Sequence, residues 1–314
     1  MANSALERIL VTGGTGFIGR HVVNLLTGQG YRPLITTFSS ASGPEFVKLD
    51  VTDPGNTRAV VDSFEPQIVI HLAGVTGHDD ATGEKCRNVN YLGTLNLLNS
   101  LEGRDVSRVI LIGSASEYGH QPIPFQEDMT ARPVSAYGLS KTRATEAALE
   151  RFATTGLPVT ILRVFSAFGE WQPNKLFLSQ LLTHALLNRD FKMSDGLQRR
   201  DYIYAADVAM AITAAMLAEP AVGRVINIGS GRGTVLHDLA RYTWALCGAD
   251  EARLHIGARE KSGDDAFDTE ADISLAADIL GWAPQNSLLP TPGRTAVVSE
   301  MIAHIRGRVD SDRE

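Results

Sequence analysis

Cysteine is scarce in this sequence, and long apolar runs are absent from it. Its two cysteines, Cys86 and Cys247, stand alone among 314 residues, without the spacing of a metal site or a disulfide framework. Isolated thiols are typical of a reducing compartment, so we expect a cytoplasmic protein without a bound metal. No apolar run reaches the roughly 20 residues of a membrane span. Residues 1–7 lack the basic and apolar regions of a signal peptide, so we expect no membrane partner.

Basic residues are too few for a typical nucleic-acid-binding protein. Lys and Arg number 29 against 36 Asp and Glu, which gives a net charge of -7. Nucleic-acid-binding proteins usually carry a basic patch, so we expect no nucleic-acid partner. The sequence is 44% hydrophobic and 21% charged. These fractions are ordinary for a soluble globular chain, and the net charge does not exclude an anionic small substrate.

The first half of the chain alternates short apolar runs with amphipathic stretches. The predicted strands are Arg8–Thr12, Leu34–Phe38, Phe46–Asp50, Ile68–Leu72, Val109–Ser114 and Thr160–Phe165, and the predicted helices include Arg20–Leu26, Gly55–Phe64, Lys85–Leu101 and Ala136–Thr154. Apolar strands joined by helical crossovers predict a parallel sheet covered on both faces. Ligands of such sheets bind beyond the carboxyl ends of the strands.

The second half is less regular and predicts a smaller lobe over that edge of the sheet. Its predicted helices are Leu176–Leu187, Ala206–Ala218, Leu236–Cys247, Ile273–Leu280 and Arg294–Ile305, with strands at Val225–Ile228 and Arg253–Ile256. We expect an exposed loop at residues 263–265 and a frayed tail from Gly307. The expected division is 1–165 and 166–314, with about 201–230 returning to the first unit.

A glycine-rich turn follows the first predicted strand. Gly13, Gly16 and Gly19 lie in Val11–Gly19, between the strand and a helix. Glycines at this spacing permit a sharp turn, a close approach to a pyrophosphate and tight helix packing. The helix N-terminus offers free N–H groups to phosphate oxygens. At the first strand–helix junction this pattern predicts a dinucleotide site rather than only a structural turn.

A tyrosine and a lysine lie one helical turn apart at the start of the longest predicted helix. Tyr137 and Lys141 share a helix face. A nearby ammonium favours a phenolate, so the pair is suited to acid–base chemistry, although surface Tyr/Lys pairs are common. Ser114 ends the preceding strand and can donate to a reacting carbonyl oxygen, with Ser116 as a supporting contact.

These motifs, in this order, resemble the extended short-chain dehydrogenase/reductases of the NAD-dependent epimerase/dehydratase family. Further matching segments are Asp50–Asp53, His71–Gly74, Val89–Thr94, Arg163, Arg200–Tyr204, Asn227–Gly231 and Leu280–Trp282. The resemblance covers nearly the whole chain. It implies an α/β fold: a Rossmann doubly wound parallel sheet with a smaller, partly interleaved α/β C-terminal lobe for the substrate. It also implies a homodimer through the Lys85–Leu101 and Ala136–Thr154 helices.

The resemblance assigns roles by position. The implied cofactor-binding residues are Gly13, Thr15, Gly16, Phe17, Ile18, Gly19, Asp50, Val51, Leu72, Ala73, Gly74, Asn90, Tyr137 and Lys141. The implied catalytic residues are Ser114, Tyr137 and Lys141, with Tyr137 as acid/base. The implied substrate-binding residues are Ser114, Ser116, Ser166, Asn174 and Arg200, of which Arg200 would hold the sugar-nucleotide diphosphate.

Three departures from the family pattern bear on cofactor and reaction. No carboxylate follows the strand Leu34–Phe38 before Glu45, which leaves NADP or NAD open with a slight preference for NADP. Ala115 and Ser116 stand where sugar dehydratases carry an acidic pair. Glu117, one step further, is expected on the other side of an extended strand, which argues against a dehydratase. Ser166 replaces a frequent asparagine.

The leading hypothesis is a nucleotide-sugar 4-ketoreductase. The stretch from Gly113 to Lys141 resembles reductases of GDP-4-keto-6-deoxy sugars. The alternative enzyme is a nucleotide-sugar 4-epimerase that keeps NAD tightly bound, because it would use the same residues. An alternative of another class is a non-catalytic NADP-binding regulator, against which the intact Ser114, Tyr137 and Lys141 count.

Overall fold

The computed structural model describes residues 7–38, 43–76, 82–260 and 268–311. Seven parallel strands form the large sheet in the order β10-β6-β5-β4-β1-β2-β3. They are β1 (Ile9–Thr12), β2 (Leu34–Thr37), β3 (Phe46–Lys48), β4 (Ile68–His71), β5 (Arg108–Ser114), β6 (Val159–Val164) and β10 (Val225–Ile228). This doubly wound parallel sheet confirms the predicted fold class.

Alternation along each strand covers both faces of the sheet. Ile9 and Val11 of β1 belong to one apolar core, and Leu10 between them belongs to another. Helices α1 (Phe17–Gly28) and α6 (Ala205–Leu217) cover the first face, and α2 (Pro54–Phe64), α3 (Gly93–Leu101) and α4 (Ala136–Thr155) cover the second. Residues buried on both faces explain why the strands read as continuous apolar runs.

The C-terminal lobe has its own core and small sheets. Strands β7 (Ser166–Phe168), β9 (Arg199–Tyr204) and β11 (Gly233–Val235) form a three-stranded sheet. Two two-stranded sheets pair β8 (Phe191–Met193) with β12 (Leu254–Ile256) and β13 (Asn286–Ser287) with β14 (Thr295–Ala296). The remaining helices are α5 (Phe177–Leu186), α7 (Leu236–Leu246), α8 (Ser274–Leu280) and α9 (Val298–Ser311). The predicted domain boundary stays a prediction, although α6 and β10 lie with the large sheet.

The structure corrects the predicted helix Arg294–Ile305 and the predicted frayed tail. Thr295 and Ala296 are extended because they pair with Asn286 and Ser287, so the helix begins only at Val298. It continues past Gly307 to Ser311, because Val309 packs against the lobe core. The loop predicted at residues 263–265 lies outside the described residues.

The predicted helix Lys85–Leu101 is helical but not uniform. Its first part, Cys86–Leu92, is π-helical, and α3 follows directly. Widened turns of this kind are frequent at functional sites, and this one carries the buried side chain of Asn90. The segment packs against α4 within one chain, so the homodimer through these helices stays a prediction. Within the described residues, the model holds no helix with the length and apolarity to cross a membrane.

Candidate functional site

The glycine turn after β1 has no room for side chains. A Cβ on Gly13, where φ is +66°, would lie 2.7 Å from the Ala73 nitrogen. A Cβ on Gly19 would lie 2.3 Å from the Gly13 carbonyl oxygen. The turn is closed by the Gly16 N–H, which donates to that same oxygen over 2.9 Å. The end of β1 and the segment after β4 are therefore in backbone contact.

In the described part of the chain, no capping side chain and no carboxylate of the first turn competes with an anion at the start of α1. Gly16 is the N-cap residue, it provides no side-chain cap, and no acidic residue occupies the first turn. The first N–H groups of a helix lack intrahelical acceptors and carry a partial positive charge. The turn is therefore suited to bind a phosphate group.

The threonines of β2 brace this turn. The Gly13 N–H donates to Thr36 Oγ1 over 3.3 Å, and the Thr15 hydroxyl donates to Thr37 Oγ1 over 3.2 Å. Both strand threonines are buried. Free hydroxyls at this position would make a 2′-phosphate of NADP tolerable, but these two are used within the protein. Ser39 and Ser40, the next hydroxyls along the chain, lie outside the described residues.

A line of buried hydrogen bonds runs from the turn through His71. The Thr94 hydroxyl donates to the Asn90 carbonyl over 2.6 Å, so its oxygen can accept from His71 Nε2 at 3.1 Å. His71 Nδ1 then accepts from the Thr12 hydroxyl at 2.7 Å. Burial, and secondarily the charge of Lys141, lowers the pKa of His71 to about 3. The ring is therefore neutral, with its proton on Nε2.

Asn90 links these hydrogen bonds to helix α4. Its amide donates to the Val75 carbonyl over 3.0 Å and to Ser140 Oγ over 3.1 Å, and its oxygen accepts the Val75 N–H at 2.8 Å. A Cβ built on Gly74 would lie 3.1 Å from that oxygen and 3.7 Å from Lys141 Nζ. The segment after β4, Asn90 and Lys141 therefore border one space.

Ser114 and Tyr137 are brought together, as the sequence predicted. Ser114 is buried at the end of β5, and Tyr137 is the second residue of α4, whose N-cap Ser135 accepts the Gly138 N–H at 3.1 Å. The Ser114 hydroxyl lies beside the Tyr137 phenol. Burial raises the pKa of Tyr137, and hydrogen bonding by Ser114 acts in the opposite direction. In the chain by itself the net shift of the Tyr137 pKa is therefore upward, and the lowering expected from Lys141 stays a prediction.

Lys141 lies on the same helix face and is held from below. Its Nζ donates to the Ile112 carbonyl over 2.9 Å. Burial lowers the pKa of Lys141 to about 8, while Glu117 and Cys86 act to raise it. The ammonium form still predominates at neutral pH, so the site keeps one positive charge beside Tyr137.

The position expected for Glu117 is wrong. Residues Ala115–Glu117 form a 3₁₀ turn rather than extended strand, and the turn brings the carboxylate back under Ser114. Glu117 is completely buried, and its Oε2 lies 3.0 Å from Arg163 Nε. The Glu117 carboxylate thus forms a buried ion pair with Arg163.

The other residues predicted to bind the cofactor or the substrate lie on several separate elements of the fold. Asp50 Oδ1 accepts from the Thr52 N–H and hydroxyl over 2.9 and 2.7 Å, and Val51 is buried with its carbonyl accepting from Asn96 over 2.9 Å. Ser166 lies on β7. Arg200 lies on β9 and donates to the Arg199 carbonyl over 3.1 Å. The exposed Asn174 accepts a hydrogen bond from Arg308 of α9 through its side-chain oxygen.

Sequence reasoning missed the placement of two buried charged residues and one histidine at the site. Arg163 interrupts the apolar run of β6, and Glu117 follows the apolar run of β5. Opposite charges in and directly after neighbouring predicted strands were a signal for a buried pair. His71, also inside an apolar run, was noted only as part of a motif.

A family model and a relative of known name both match most of this chain. The family model described as NAD dependent epimerase/dehydratase family matches residues 9–229. The chain belongs to this family. The dTDP-L-rhamnose 4-epimerase of Burkholderia thailandensis is 30% identical, with 90% of this chain and 92% of that protein covered.

Two solved structures extend the comparison over nearly the whole chain. The UDP-glucose 4-epimerase of Thermotoga maritima, solved with UDP-glucose, has a TM-score of 0.86 at 26% identity and covers 96% of this chain and 99% of that one. MoeE5, solved with UDP-glucuronic acid and NAD, has a TM-score of 0.83 at 26% identity and covers 97% and 99%.

Replacing Gly19 by alanine tests the tight turn. Because the added Cβ would lie 2.3 Å from the Gly13 oxygen, Gly19→Ala should lower the melting temperature and weaken NAD binding by at least about tenfold. Gly28→Ala is the matched control, since it lies on the same helix with nothing within 4 Å. It should keep NAD affinity and can gain up to about 1 kcal/mol in stability. Calorimetric titration showing wild-type affinity in Gly19→Ala would contradict this account.

The buried neutral His71 predicts a specific pH dependence of stability. Its pKa falls from 6.5 to about 3 on folding, so the unfolded state binds the extra proton between these values. The contribution of His71 to the free energy of unfolding is fully present above pH 6.5. It decreases as the pH drops towards 3, by up to about 1.4 kcal/mol per pH unit. The free energy of unfolding of His71→Gln, measured with urea at several pH values, should depend less steeply on pH over this range. The difference in slope from the wild type should correspond to one proton. An unchanged slope would show that His71 is not buried neutral.

Proposed function

We propose that this chain is a nucleotide-diphosphate-sugar 4-epimerase that retains NAD. The observation that carries this proposal is the arrangement of the buried Ser114 beside Tyr137, with Lys141 on the same helix face and bonded to the Ile112 carbonyl. The relatives named above that carry an activity in their names are 4-epimerases. The 4-ketoreductase expected from the sequence has no such support, so the epimerase alternative becomes the leading function.

The glycine turn and the edge of the sheet fit a dinucleotide. Its diphosphate would lie on the turn and the uncapped start of α1, held by Gly13, Thr15, Gly16, Phe17, Ile18 and Gly19. Asp50 and Val51 would border the adenine, and Leu72, Ala73, Gly74 and Asn90 would line the path to the second ribose. Lys141 would bind that ribose. Because Thr36 and Thr37 already bond the turn, we favour NAD over NADP.

The chemistry of the proposed reaction places a proton on Tyr137. Bound NAD supplies the acceptor of hydride and, when oxidised, a positive ring charge. Tyr137 would take the proton of the sugar 4-hydroxyl as general base and return it to the keto oxygen as general acid. Ser114 would donate to the same oxygen. Because burial raises the pKa of the phenol, the charge of Lys141 and the cofactor must together lower it for the base step.

The substrate would enter over the C-terminal lobe. Arg200 at the start of the β9 strand would hold the diphosphate, because a guanidinium matches pairs of phosphate oxygens. Ser116 and Ser166 would face the sugar. Asn174 would have to exchange its bond to Arg308 for one to the substrate.

Conversion without added cofactor tests the function. Purified protein should interconvert UDP-glucose or dTDP-rhamnose with its 4-epimer, followed by NMR, with no added dinucleotide. Tyr137→Phe should lower kcat by about 10²- to 10⁴-fold, as expected on loss of a general acid–base group, while NAD affinity stays near the wild-type value. Tyr242→Phe, on α7 and in the lobe core, is the matched control and should keep full activity.

Three outcomes would contradict the proposal. Stoichiometric consumption of added NADPH with a 4-keto sugar would indicate the reductase. Full turnover in Tyr137→Phe would refute the acid–base assignment, and absence of turnover with intact dinucleotide binding would favour a regulator.

A further inference from the structure

A buried ion pair lies directly beneath the catalytic serine. Glu117 has no exposed surface and Arg163 is 5% exposed, and Arg163 Nε lies 3.0 Å from Glu117 Oε2. Desolvation of both charges is costly, and a buried ion pair is often no more stabilising than a packed apolar pair. Stability alone therefore does not explain why charges occupy these positions.

Gly113 makes the room that this pair needs. Gly113 on β5 lies opposite Arg163 on β6 in the sheet. A Cβ on Gly113 would lie 2.6 Å from Glu117 Oε1 and 3.1 Å from Arg163 Cγ. The carboxylate therefore fills the space of a missing side chain, one residue before Ser114.

The second carboxylate oxygen holds the backbone of Ser114. Glu117 Oε1 accepts the Ser114 N–H at 2.8 Å, and Ser114 Oγ accepts the Ser116 N–H at 3.2 Å. These two bonds close the 3₁₀ turn Ala115–Glu117 from both ends. The direction in which Ser114 presents its side chain to Tyr137 is therefore tied to the carboxylate.

Arg163 packs against Tyr118, which is in turn fixed by the amide of Asn227. Its guanidinium carbon lies 4.6 Å from the centre of the Tyr118 ring, and the Tyr118 hydroxyl donates to Asn227 Oδ1 over 2.7 Å. Asn227 lies on β10, at the edge of the large sheet. The guanidinium therefore lies on a ring that is itself held by Asn227, and it in turn restricts the carboxylate.

We propose that Glu117, held by Arg163, is a positioning residue that sets the backbone of Ser114 so that its hydroxyl faces Tyr137 and the reacting oxygen. This inference rests on the proposed epimerase reaction. Glu117 acts through Ser114 and does not touch the substrate. An acceptor at position 117 is the essential feature, and the charge serves to hold that acceptor in place.

Two charge-neutral double variants isolate the acceptor. Glu117→Gln/Arg163→Met keeps an oxygen that can accept the Ser114 N–H, and Glu117→Leu/Arg163→Met has none. We expect both to fold, because neither leaves an unpaired buried charge. The glutamine variant should have a kcat at least about tenfold above that of the leucine variant, with KM for the nucleotide sugar within about threefold. Equal kcat values would overturn the positioning role.

Two further variants keep the test decisive if a double variant does not fold. Glu117→Asp keeps the charge but is one methylene shorter, so it should lower kcat by about tenfold at unchanged KM. Wild-type kcat in Glu117→Asp would overturn the proposal. Thr160→Val, on the same strand as Arg163, removes a buried bond to the Ala221 carbonyl. It should lower the melting temperature and leave kcat unchanged.

Amide hydrogen exchange separates this inference from the proposed function. The Ser114 N–H should exchange slowly in the wild type and in the glutamine double variant, and faster in the leucine one, without any substrate. Equal exchange rates would show that Glu117 does not hold Ser114. Absence of wild-type turnover would instead refute the epimerase, and the positioning role in that reaction with it.

Discussion

A continuous line of buried hydrogen bonds joins the glycine turn to the helix that carries Tyr137 and Lys141. It passes from Thr12 through His71 and Thr94 to Asn90, and then to Ser140. Each member has one geometry in which donors meet acceptors, so a shift of one strand would leave a buried polar group unpaired. The relative position of the proposed cofactor and acid–base groups is fixed by this line.

The parallel sheet determines where this line can lie. The strands β1, β4 and β5 end at Thr12, His71 and Ser114, and their carboxyl ends meet at one edge. The same edge receives the N-termini of α1 and α4. On one side His71 connects the strands, and on the other Glu117 and Arg163 brace Ser114. Buried polar groups thus fix the positions of the side chains at this edge of an otherwise apolar sheet.

The large sheet, and the placement of Tyr137 and Lys141 on one helix face, could be predicted because their signals are local. Apolar runs gave its six N-terminal strands, and the spacing of Tyr137 and Lys141 placed them on one helix face. The β9 strand Arg199–Tyr204 gave no such signal, because its sequence is charged and aromatic and its partners lie about 30 residues away on either side. The turn at Glu117 and the start of α9 also depend on long-range partners, Arg163 and Asn286.

The most direct test of the epimerase account follows a hydrogen atom. UDP-glucose carrying deuterium at C4 is incubated with the purified protein in ordinary water, without added dinucleotide, and the product is analysed by mass spectrometry and NMR. The account predicts the 4-epimer with deuterium retained at C4, because a hydride taken up by a carbon atom of the cofactor does not exchange with water and is returned to the same sugar carbon. Loss of deuterium from C4 in the product would contradict it.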